Sequence, residues 1–368
     1  MKIGIDAKWY FTGPPSTQIV LQNLLCRLFK FYPEHEWVIF LDKKDRHLDF
    51  PFKQENITII YVWADNNMFS NIFLLPGHIR KRSIDVMVFQ TFPAFQRKIN
   101  SIAFIHDVLF KEYPQFFTQK ERLYFLPLSW LAPKANRLIA TTEFVADKLI
   151  KHQYSRSKSQ IDIVPLGVSP EFKPAGKHDG YFLSQVKEKF GLPDSFILFV
   201  GRLNIRKNIE SLLKAIPLLH NESIALVIVG KKDGRTVNLK NVLSGKKDRV
   251  IIIDHVNNND LAAIYALAKI FCFPSFAEGF GLPPLEAMAS GVPVVVSNTT
   301  ALPEVCGDAA AYIDPAKPEN IAQALNDLLE NPVMYMQKRK AGLEHATKYN
   351  WDITAEKFMQ SIMNAVKK

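Results

Sequence analysis

Short runs of apolar residues recur along the chain and alternate with longer segments whose apolar positions repeat at helical spacing. Such runs predict strands covered on both faces, because a strand buried on both sides is apolar throughout. In the first half they are 3–5, 37–41, 57–62, 86–89, 102–105, 137–141 and 161–164. Segment 17–31, with apolar residues every three or four positions, predicts a helix between the first two.

Proline and glycine then cluster between residues 165 and 180, which predicts a linker. After it the pattern restarts, with strands predicted at 196–200, 225–229, 250–253, 270–273 and 292–296 and helices at 209–219 and 261–268. This alternation indicates α/β architecture with two doubly wound parallel sheets. The domains are predicted at residues 1–172 and 173–350, with a further C-terminal segment at 351–368.

Composition narrows the class of protein. The chain has 368 residues, 48% hydrophobic and 22% charged, which is typical of a soluble globular protein. No apolar run approaches the roughly 18 residues of a membrane span, and the first residues resemble a strand rather than a signal peptide. We expect a cytoplasmic protein in which Cys26, Cys272 and Cys306 are small core residues, neither disulfide-bonded nor bound to zinc.

The net charge of +10 is unevenly distributed. Residues 1–174 hold 23 Lys and Arg against 16 Asp and Glu, or +7, and the rest hold 23 against 20, or +3. A basic first half is compatible with an anionic membrane surface, a phosphorylated substrate, nucleic acid, or simply a solvated basic surface.

The loop at residues 201–208 follows one predicted strand and precedes a helix. Gly201 allows a tight turn and a close approach of ligand at the strand end. Arg202 and Lys207 can converge from this loop on a pair of phosphates. Taken alone, the motif fits a basic surface loop better, because cations are common in loops.

Residues 275–288 follow the strand at 270–273 and carry the most informative motif. Gly279 and Gly281 predict a turn whose backbone N–H groups face an anion, and the prolines at 283 and 284 suit the first turn of a helix. Glu278 precedes this turn, and Glu286 lies eight residues later among apolar neighbours. A carboxylate in such surroundings needs a polar partner, so we expect both glutamates to accept hydrogen bonds from sugar hydroxyls.

Together the two motifs resemble the retaining GT-B glycosyltransferases of family 4, whose signature is two glutamates eight residues apart around a Gly-Phe-Gly-Leu turn. Further similar segments are 164–168, 298–305 and Trp351 with Ala355, so the likeness covers nearly the whole chain. Residues 105–114 resemble the bacterial mannosyltransferases of surface polysaccharide assembly. The resemblance implies two Rossmann-like domains facing a central cleft, with the C-terminal helix packed back on the acceptor-binding first domain.

The resemblance also implies roles for individual residues. Arg202 and Lys207 would hold the diphosphate and stabilise its leaving charge, and Glu286 would bind the ribose. The backbone at Val256 would meet the base, and His106 would lie near the donor sugar. The donor sugar and its phosphate would be held by Gly13, Gly201, Glu278, Gly279, Phe280, Gly281 and Leu282. The catalytic candidates are His106, Arg202, Lys207 and Glu278.

The first loop departs from the family pattern. Where the family carries adjacent glycines, this chain has Gly13 followed by Pro14 and Pro15. Proline has no N–H, so neither proline can donate a backbone hydrogen bond to a phosphate or an acceptor.

The expected reaction is transfer of mannose or a similar hexose from a nucleotide diphosphate sugar to a glycan or lipid-linked acceptor, with retention. The chain contains no Asp-x-Asp motif, so neither a metal nor another cofactor is expected. The resemblance implies front-face attack without a dedicated base, although Asp107 is a candidate. The alternatives are a nucleotide-sugar epimerase, a dinucleotide oxidoreductase and a nucleic-acid binding protein. The chain lacks the glycine motif of a dinucleotide oxidoreductase and the aromatic-basic motif of a nucleic-acid binding protein.

Two segments of the first half, 63–82 and 116–130, mix apolar residues with Lys and Arg. This combination is typical of segments that lie at an anionic membrane surface, where a lipid-linked acceptor would be met. The alternative is that both segments are core helices, and Pro76 and Pro127 argue against long amphipathic ones.

Overall fold

The computed structural model describes residues 1–63, 65–94, 100–231, 249–254 and 256–366. The chain folds as two compact units. Unit 1 comprises Met1–Gly167 together with Trp351–Lys368, and unit 2 comprises Val168–Asn350. The division between them falls five residues before the domain boundary that we place at residue 172.

Unit 1 contains a parallel seven-stranded sheet, in the order β3-β2-β1-β4-β5-β6-β7. Its strands are β1 (Lys2–Asp6), β2 (Glu36–Asp42), β3 (Ile57–Val62), β4 (Val86–Gln90), β5 (Asn100–Phe104), β6 (Arg137–Ala140) and β7 (Ile161–Ile163). Each overlaps an apolar run in the sequence. The central strands are buried throughout, as in β4, so their side chains pack on both faces of the sheet.

Helices cover this sheet. They are α1 (Pro15–Phe31), α2 (Asn67–Phe69), α3 (Leu75–Lys81), α4 (Leu109–Glu112), α5 (Gln119–Phe125), α6 (Leu128–Leu131) and α7 (Glu143–Lys151), with a π-helical turn at Ser70–Leu74. Helix α1 begins at Pro15, whose fixed φ suits a first turn, and buries Val20, Leu24 and Leu28 along one face.

Unit 2 contains a parallel six-stranded sheet, in the order β10-β9-β8-β11-β12-β13. Its strands are β8 (Phe196–Val200), β9 (Ala225–Val229), β10 (Val250–Ile253), β11 (Ile270–Phe273), β12 (Val294–Ser297) and β13 (Ala311–Ile313). Its helices are α8 (Gly180–Lys189), α9 (Ile209–Ala215), α10 (Asn258–Leu267), α11 (Leu282–Ala289), α12 (Leu302–Cys306), α13 (Pro318–Glu330) and α14 (Pro332–Ala346).

The last helix, α15 (Trp351–Val366), belongs to unit 1 and packs against α1 and strands β4, β5 and β6. Its buried residues Trp351, Ala355, Phe358 and Ile362 recur every three or four positions and form one apolar face. Polar contacts fix its position as well, because the Ser361 hydroxyl donates a 2.7 Å hydrogen bond to the Asp162 carboxylate.

Two expectations about local structure are wrong, and one strand was missed. Cys26 is exposed, whereas Cys272 and Cys306 are buried as expected. The helix expected to run to residue 219 ends at Ala215, because Pro217 converts its last turn to a 3-10 helix at Ile216–Leu218. Strand β13 was not predicted, because it begins within a run of three alanines and alanine is uncommon in strands.

In both sheets the strand order reverses beside the first strand of the unit, between β1 and β4 in unit 1 and between β8 and β11 in unit 2. Ligands of open α/β sheets bind outside the carboxyl ends of the strands at this point. The loops after β8 and β11 are those that carry the two sequence motifs, so the fold of unit 2 places both motifs where a ligand site is expected.

Candidate functional site

The loops after β8 and β11 contact each other through backbone and side-chain hydrogen bonds. The Phe276 N–H donates to the Arg206 carbonyl at 2.9 Å. Asn208, in the left-handed conformation with φ 54°, donates from its side chain to the Pro274 carbonyl at 3.0 Å. Asn208 is buried, and no pattern in the sequence marks it as the link between the two loops.

Glu278 is held by two cations of the loop after β8. Its Oε1 lies 2.7 Å from the Lys207 Nζ, and its Oε2 lies 3.0 Å from the Arg206 Nη1. The Lys207 ammonium also lies 4.6 Å from the centre of the Phe273 ring. The three charged side chains are at most 16% exposed, so the cluster is largely withdrawn from water.

The charges of this cluster are coupled. Burial raises the pKa of Glu278, but Arg206 and Lys207 outweigh it and lower the pKa to about 2. Burial lowers the pKa of Lys207, the charges of Arg206 and Arg202 add to that fall and Glu278 opposes it, and the resulting pKa is about 8. At neutral pH all of these groups are ionised, so the cluster carries a surplus of positive charge suited to an anion.

The sequence analysis predicts Arg202 and Lys207 as phosphate-binding cations. The structure adds Arg206, which makes the ion pair with Glu278 and donates to the Ala277 carbonyl at 2.5 Å. Arg202 lies near enough to Lys207 for its charge to affect the pKa of the lysine. Spacing alone could not distinguish the three cations, because a 3-10 turn at Ile205–Lys207 decides where they point.

The turn after Glu278 leads into helix α11. Gly281 has φ 109°, a conformation that favours glycine, and a Cβ there would lie 2.7 Å from the Leu302 side chain. Helix α11 begins at Leu282 with both prolines in its first turn, as expected, so its positive end points toward the turn. The turn residues Gly279, Phe280, Gly281 and Leu282 are all buried.

Glu286 lies inside α11 and has the polar partner that its apolar surroundings require. The buried Tyr265 hydroxyl of α10 donates a 2.9 Å hydrogen bond to the Glu286 Oε2. Burial raises the pKa of Glu286 to about 7, the Tyr265 hydrogen bond opposes that rise, and the nearby charge of Glu171 adds to it. Tyr265 is a second residue that the sequence did not single out.

Val256 lies three residues beyond β10 and is half-buried. In the order β10-β9-β8-β11 its strand is two places from β8, so Val256 lies at the same carboxyl edge as both motifs. Gly201 comes directly after β8 and donates its N–H to the Val229 carbonyl at 2.9 Å. Gly230 approaches this backbone so closely that a Cβ there would lie 1.9 Å from the Gly201 carbonyl oxygen.

His106 of unit 1 follows β5 and stacks on Phe104, with ring centres 4.4 Å apart. Its Nε2 is buried and has no hydrogen-bond partner among the residues that the structure describes. Burial lowers the pKa of His106 to about 4, so the ring is neutral at pH 7 and can exchange a hydrogen bond with an uncharged hydroxyl. The adjacent Asp107 accepts a 3.1 Å hydrogen bond from the Leu109 N–H.

Gly13 precedes α1 in the first loop of unit 1. Its φ is 144°, and a Cβ would lie 2.8 Å from the Trp9 side chain, so no larger residue fits without movement. Pro14 is the extended residue before the helix and Pro15 its first residue. The positive end of α1 therefore lacks the N–H groups of these two residues.

A buried polar network lies at the carboxyl end of β1. The Lys8 Nζ lies 2.5 Å from the Asp6 carboxylate and donates a 2.6 Å hydrogen bond to the Asn71 side-chain oxygen. The other Asp6 oxygen accepts from the Asn71 amide at 3.0 Å and from the Gln90 N–H at 3.2 Å. Burial lowers the pKa of Lys8 despite the opposing charge of Asp6. In the sequence, this pair could have been recognised from a Lys that follows two residues after an Asp at the end of a predicted strand.

The two segments expected at a membrane surface differ in the structure. In segment 63–82, Leu75 and Ile79 belong to a buried cluster of unit 1, although Trp63 and Phe73 are exposed. In segment 116–130, helix α5 buries none of its residues completely. Among the described residues no helix is both long and apolar enough to cross a bilayer.

Two family models match consecutive parts of this chain. The model described as Glycosyltransferase Family 4 matches residues 34–172, and the model described as Glycosyl transferases group 1 matches residues 184–347. The chain belongs to the family 4 GT-B glycosyltransferases. The family that the two glutamates and the glycine turn indicated is thereby confirmed, which favours a glycosyltransferase over the epimerase and nucleic-acid binding alternatives.

The relatives of this glycosyltransferase differ in how much of their own length aligns with it. The serotype-specific mannosyltransferase WbdA of Escherichia coli is 31% identical over 229 residues, 60% of this chain but 28% of WbdA. The O-antigen chain mannosyltransferase B of Escherichia coli is 29% identical over 260 residues, 68% of this chain and 67% of that protein. The chain therefore spans only a little over a quarter of WbdA.

The solved structure of HepE from Anabaena, in complex with UDP and glucose, superposes with a TM-score of 0.76. The match covers 99% of both chains at 16% sequence identity, so it concerns the fold alone. It confirms the GT-B fold, with two Rossmann-like units, that the sequence indicated.

Proposed function

We propose that this protein is a retaining, metal-independent hexosyltransferase that uses a nucleotide diphosphate sugar. The observation that carries the proposal is the buried cluster of Arg206, Lys207 and Glu278 at the positive end of α11. Its surplus positive charge, with Arg202 nearby, suits a diphosphate, and the adjoining glycine turn suits close approach of a sugar.

The rest of the donor would be bound along the carboxyl edge of the same sheet. Glu286 would accept hydrogen bonds from the ribose hydroxyls, and the backbone at Val256 would contact the base. Tyr265 would act as a positioning residue, since it holds one oxygen of Glu286 and leaves the other for the ligand. In unit 1, the His106 ring is neutral at pH 7, and its Nε2 would hydrogen-bond a substrate hydroxyl.

In the proposed reaction the bond between the anomeric carbon and the diphosphate oxygen breaks, and its electron pair leaves with the diphosphate. The acceptor hydroxyl attacks the same face of the sugar, and its proton passes to the departing phosphate oxygen. Arg202, Arg206 and Lys207 lower the barrier because they stabilise charge that grows on the diphosphate in the transition state.

The substrate class is inferred from two relatives that are named mannosyltransferases, one of them acting on an O-antigen chain. We therefore propose mannose or a similar hexose as the transferred sugar and a growing glycan, free or lipid-linked, as the acceptor. A lipid-linked acceptor would bring this enzyme to the inner face of the cytoplasmic membrane as a peripheral protein.

A panel of nucleotide diphosphate sugars tests the donor. The cognate donor is expected to raise the melting temperature, because a ligand that binds the folded state stabilises it. Incubation of that donor with mannosyl acceptors should then yield a glycoside whose anomeric configuration, read by NMR, matches the donor. A product of inverted configuration would contradict retention, and an epimerised sugar formed without acceptor would contradict transfer.

The substitution Lys207→Met tests the phosphate-binding cluster. We expect kcat to fall roughly 100- to 1,000-fold, the range for loss of one transition-state charge partner, and donor affinity to fall less. Lys214→Met removes an exposed lysine of helix α9, paired only with Glu210 at the surface, and is the matched control. Equal activity of both variants would show that the diphosphate is bound elsewhere.

A further inference from the structure

Unit 1 presents a ridge of exposed apolar side chains along helices α5 and α6. Leu123, Leu126 and Trp130 are 68%, 58% and 65% exposed. The backbone remains right-handed helical through Leu126 and Pro127, so spacings of three and four residues put all three side chains on one face. The opposite face is fixed, because Tyr124 and Phe125 pack against the buried core.

An apolar groove borders one side of this ridge. It has a volume of about 660 Å³ and is lined by Phe110, Pro114, Leu123 and Leu126, with Lys111 and Arg122 at its margin. Large apolar side chains that are exposed beside such a groove mark an interaction surface rather than scattered surface residues.

A basic cavity of about 440 Å³ borders the other end of the ridge. Lys134 joins the two, because its ammonium lies 4.3 Å from the centre of the Trp130 ring and it also lines the cavity. The remaining polar lining includes Asn136, Arg137, Arg156, Ser157, Ser159 and Gln160. The cavity lies where β6 and β7 begin, at the edge of the sheet opposite the strand ends that carry His106.

The charges of the cavity leave a cationic surplus. Arg137 is paired with the Asp162 carboxylate, to which its Nε donates at 2.9 Å. The Arg156 guanidinium makes no hydrogen bond or ion pair with any residue in the described ranges, and its backbone N–H donates to Gln160 at 2.8 Å. The cavity is lined by three cations and two serine hydroxyls, and one of the cations, Arg137, is paired with a carboxylate. This combination suits a phosphate group.

We propose that this face of unit 1 docks on an anionic lipid bilayer, with a headgroup phosphate in the basic cavity and the Leu123–Leu126–Trp130 ridge at the acyl boundary. The proposal deepens the peripheral contact proposed above by giving it a site. An exposed tryptophan between an apolar ridge and the basic cavity matches the interface of a membrane with water, because aromatic rings lie at headgroup level there and cations contact anionic lipid.

Vesicle co-sedimentation of the full chain tests the proposal, with phosphatidylcholine alone or mixed with phosphatidylglycerol. Wild-type protein is expected to bind the anionic vesicles. Trp130→Ser should weaken this binding at least five-fold, and Arg156→Ala about five-fold, the loss expected for one cation at the surface. Arg46→Ala and Tyr181→Ser remove an exposed cation and an exposed aromatic elsewhere and should leave binding unchanged.

Each contrary outcome has a distinct meaning. Wild-type levels of binding in Trp130→Ser and Arg156→Ala would overturn the site, as would equal losses in the two control variants. If Arg156→Ala weakens binding of inorganic phosphate in calorimetry but leaves vesicle binding intact, the cavity takes a free phosphate and the bilayer proposal is wrong. Donor binding by the wild-type protein is measured separately, so failure of the proposed transferase function is not confused with failure of this site.

Discussion

At the scale of single residues, two glutamates of unit 2 with similar burial have very different pKa values. Glu278 and Glu286 are both 7% exposed, but the pKa of Glu278 is about 2 and that of Glu286 about 7. Burial disfavours the carboxylate in both, and only Glu278 has cations close enough to reverse this effect. Glu278 is therefore a permanent anion near neutrality, whereas Glu286 changes charge there.

This difference predicts that donor affinity depends on pH. In the proposed donor site Glu286 would accept ribose hydroxyls as a carboxylate, and its pKa is raised, so the ionised fraction of Glu286 in the free protein grows between about pH 6 and about pH 8. We expect the dissociation constant of the donor to fall up to about ten-fold over this range. Calorimetric titration at several pH values measures it.

Two variants sharpen that measurement. Glu286→Gln should remove the pH dependence and weaken donor binding by roughly 1.5–3 kcal/mol, the value of a hydrogen bond to a charged group. Glu210→Gln, on the exposed surface of α9, should retain the wild-type profile. The same pH profile in Glu286→Gln would exclude Glu286 from the donor site.

The two glutamates were easier to single out from the sequence than the cations around Glu278. A glutamate among apolar residues is conspicuous, and Glu286 proved to have its partner in Tyr265. The choice among Arg202, Arg206 and Lys207 depends on a short turn in which the Asn204 side chain accepts the Lys207 N–H at 3.1 Å. A geometry of this kind leaves no periodic pattern for sequence reasoning to detect.

At the scale of elements, the site depends on how a strand passes into a helix. Apolar runs predicted β8, β9, β10 and β11 at their observed bounds, because strands buried on both faces are apolar along their length. Strand β13 was not predicted, because it begins within a run of alanines, and helices at α5 and α6 were considered only as the alternative to a membrane-surface segment. The turns between strand and helix at the site depend instead on single residues such as Gly281, which apolar patterns do not predict.

The substitution Gly281→Ala tests that dependence. A φ of 109° is unfavourable for any residue with a Cβ, and the new methyl would lie 2.7 Å from the buried Leu302 side chain. We expect the free energy of unfolding to fall by about 1–3 kcal/mol, the cost of one residue in a sparsely populated conformation. Urea unfolding measures the change.

Gly180→Ala is the control for this substitution. Gly180 begins helix α8 in the same unit, and a Cβ there meets nothing within 4 Å. The free energy of unfolding should stay the same or rise by up to about 1 kcal/mol, because alanine restricts the unfolded chain. An equal loss of stability in both variants would mean that glycine conformation at 281 is not the cause.

At the scale of the whole molecule, both units place charged or polar groups at the carboxyl ends of the strands where their sheets reverse order. Unit 1 has Asp6 and Lys8 after β1, and unit 2 has the cations after β8 and Glu278 after β11. The hydrophobic pattern and fold rules suffice to predict this edge as the functional one. Side-chain pairs such as Asp6–Lys8 require the tertiary structure, because Asn71 and Gln90 complete them from distant parts of the chain.

The charge of unit 2 also bears on metal dependence. Arg202, Arg206 and Lys207 offset by Glu278 leave a formal charge of +2, which equals that of one magnesium ion. In the proposed donor site these fixed charges would face the diphosphate and would need no reorganisation as the leaving charge grows. We therefore expect transferase activity to survive exhaustive treatment with EDTA, with turnover unchanged within about two-fold, a barrier difference of about 0.4 kcal/mol. Loss of turnover in EDTA that is restored by magnesium or manganese would contradict the assignment of this role to the three cations.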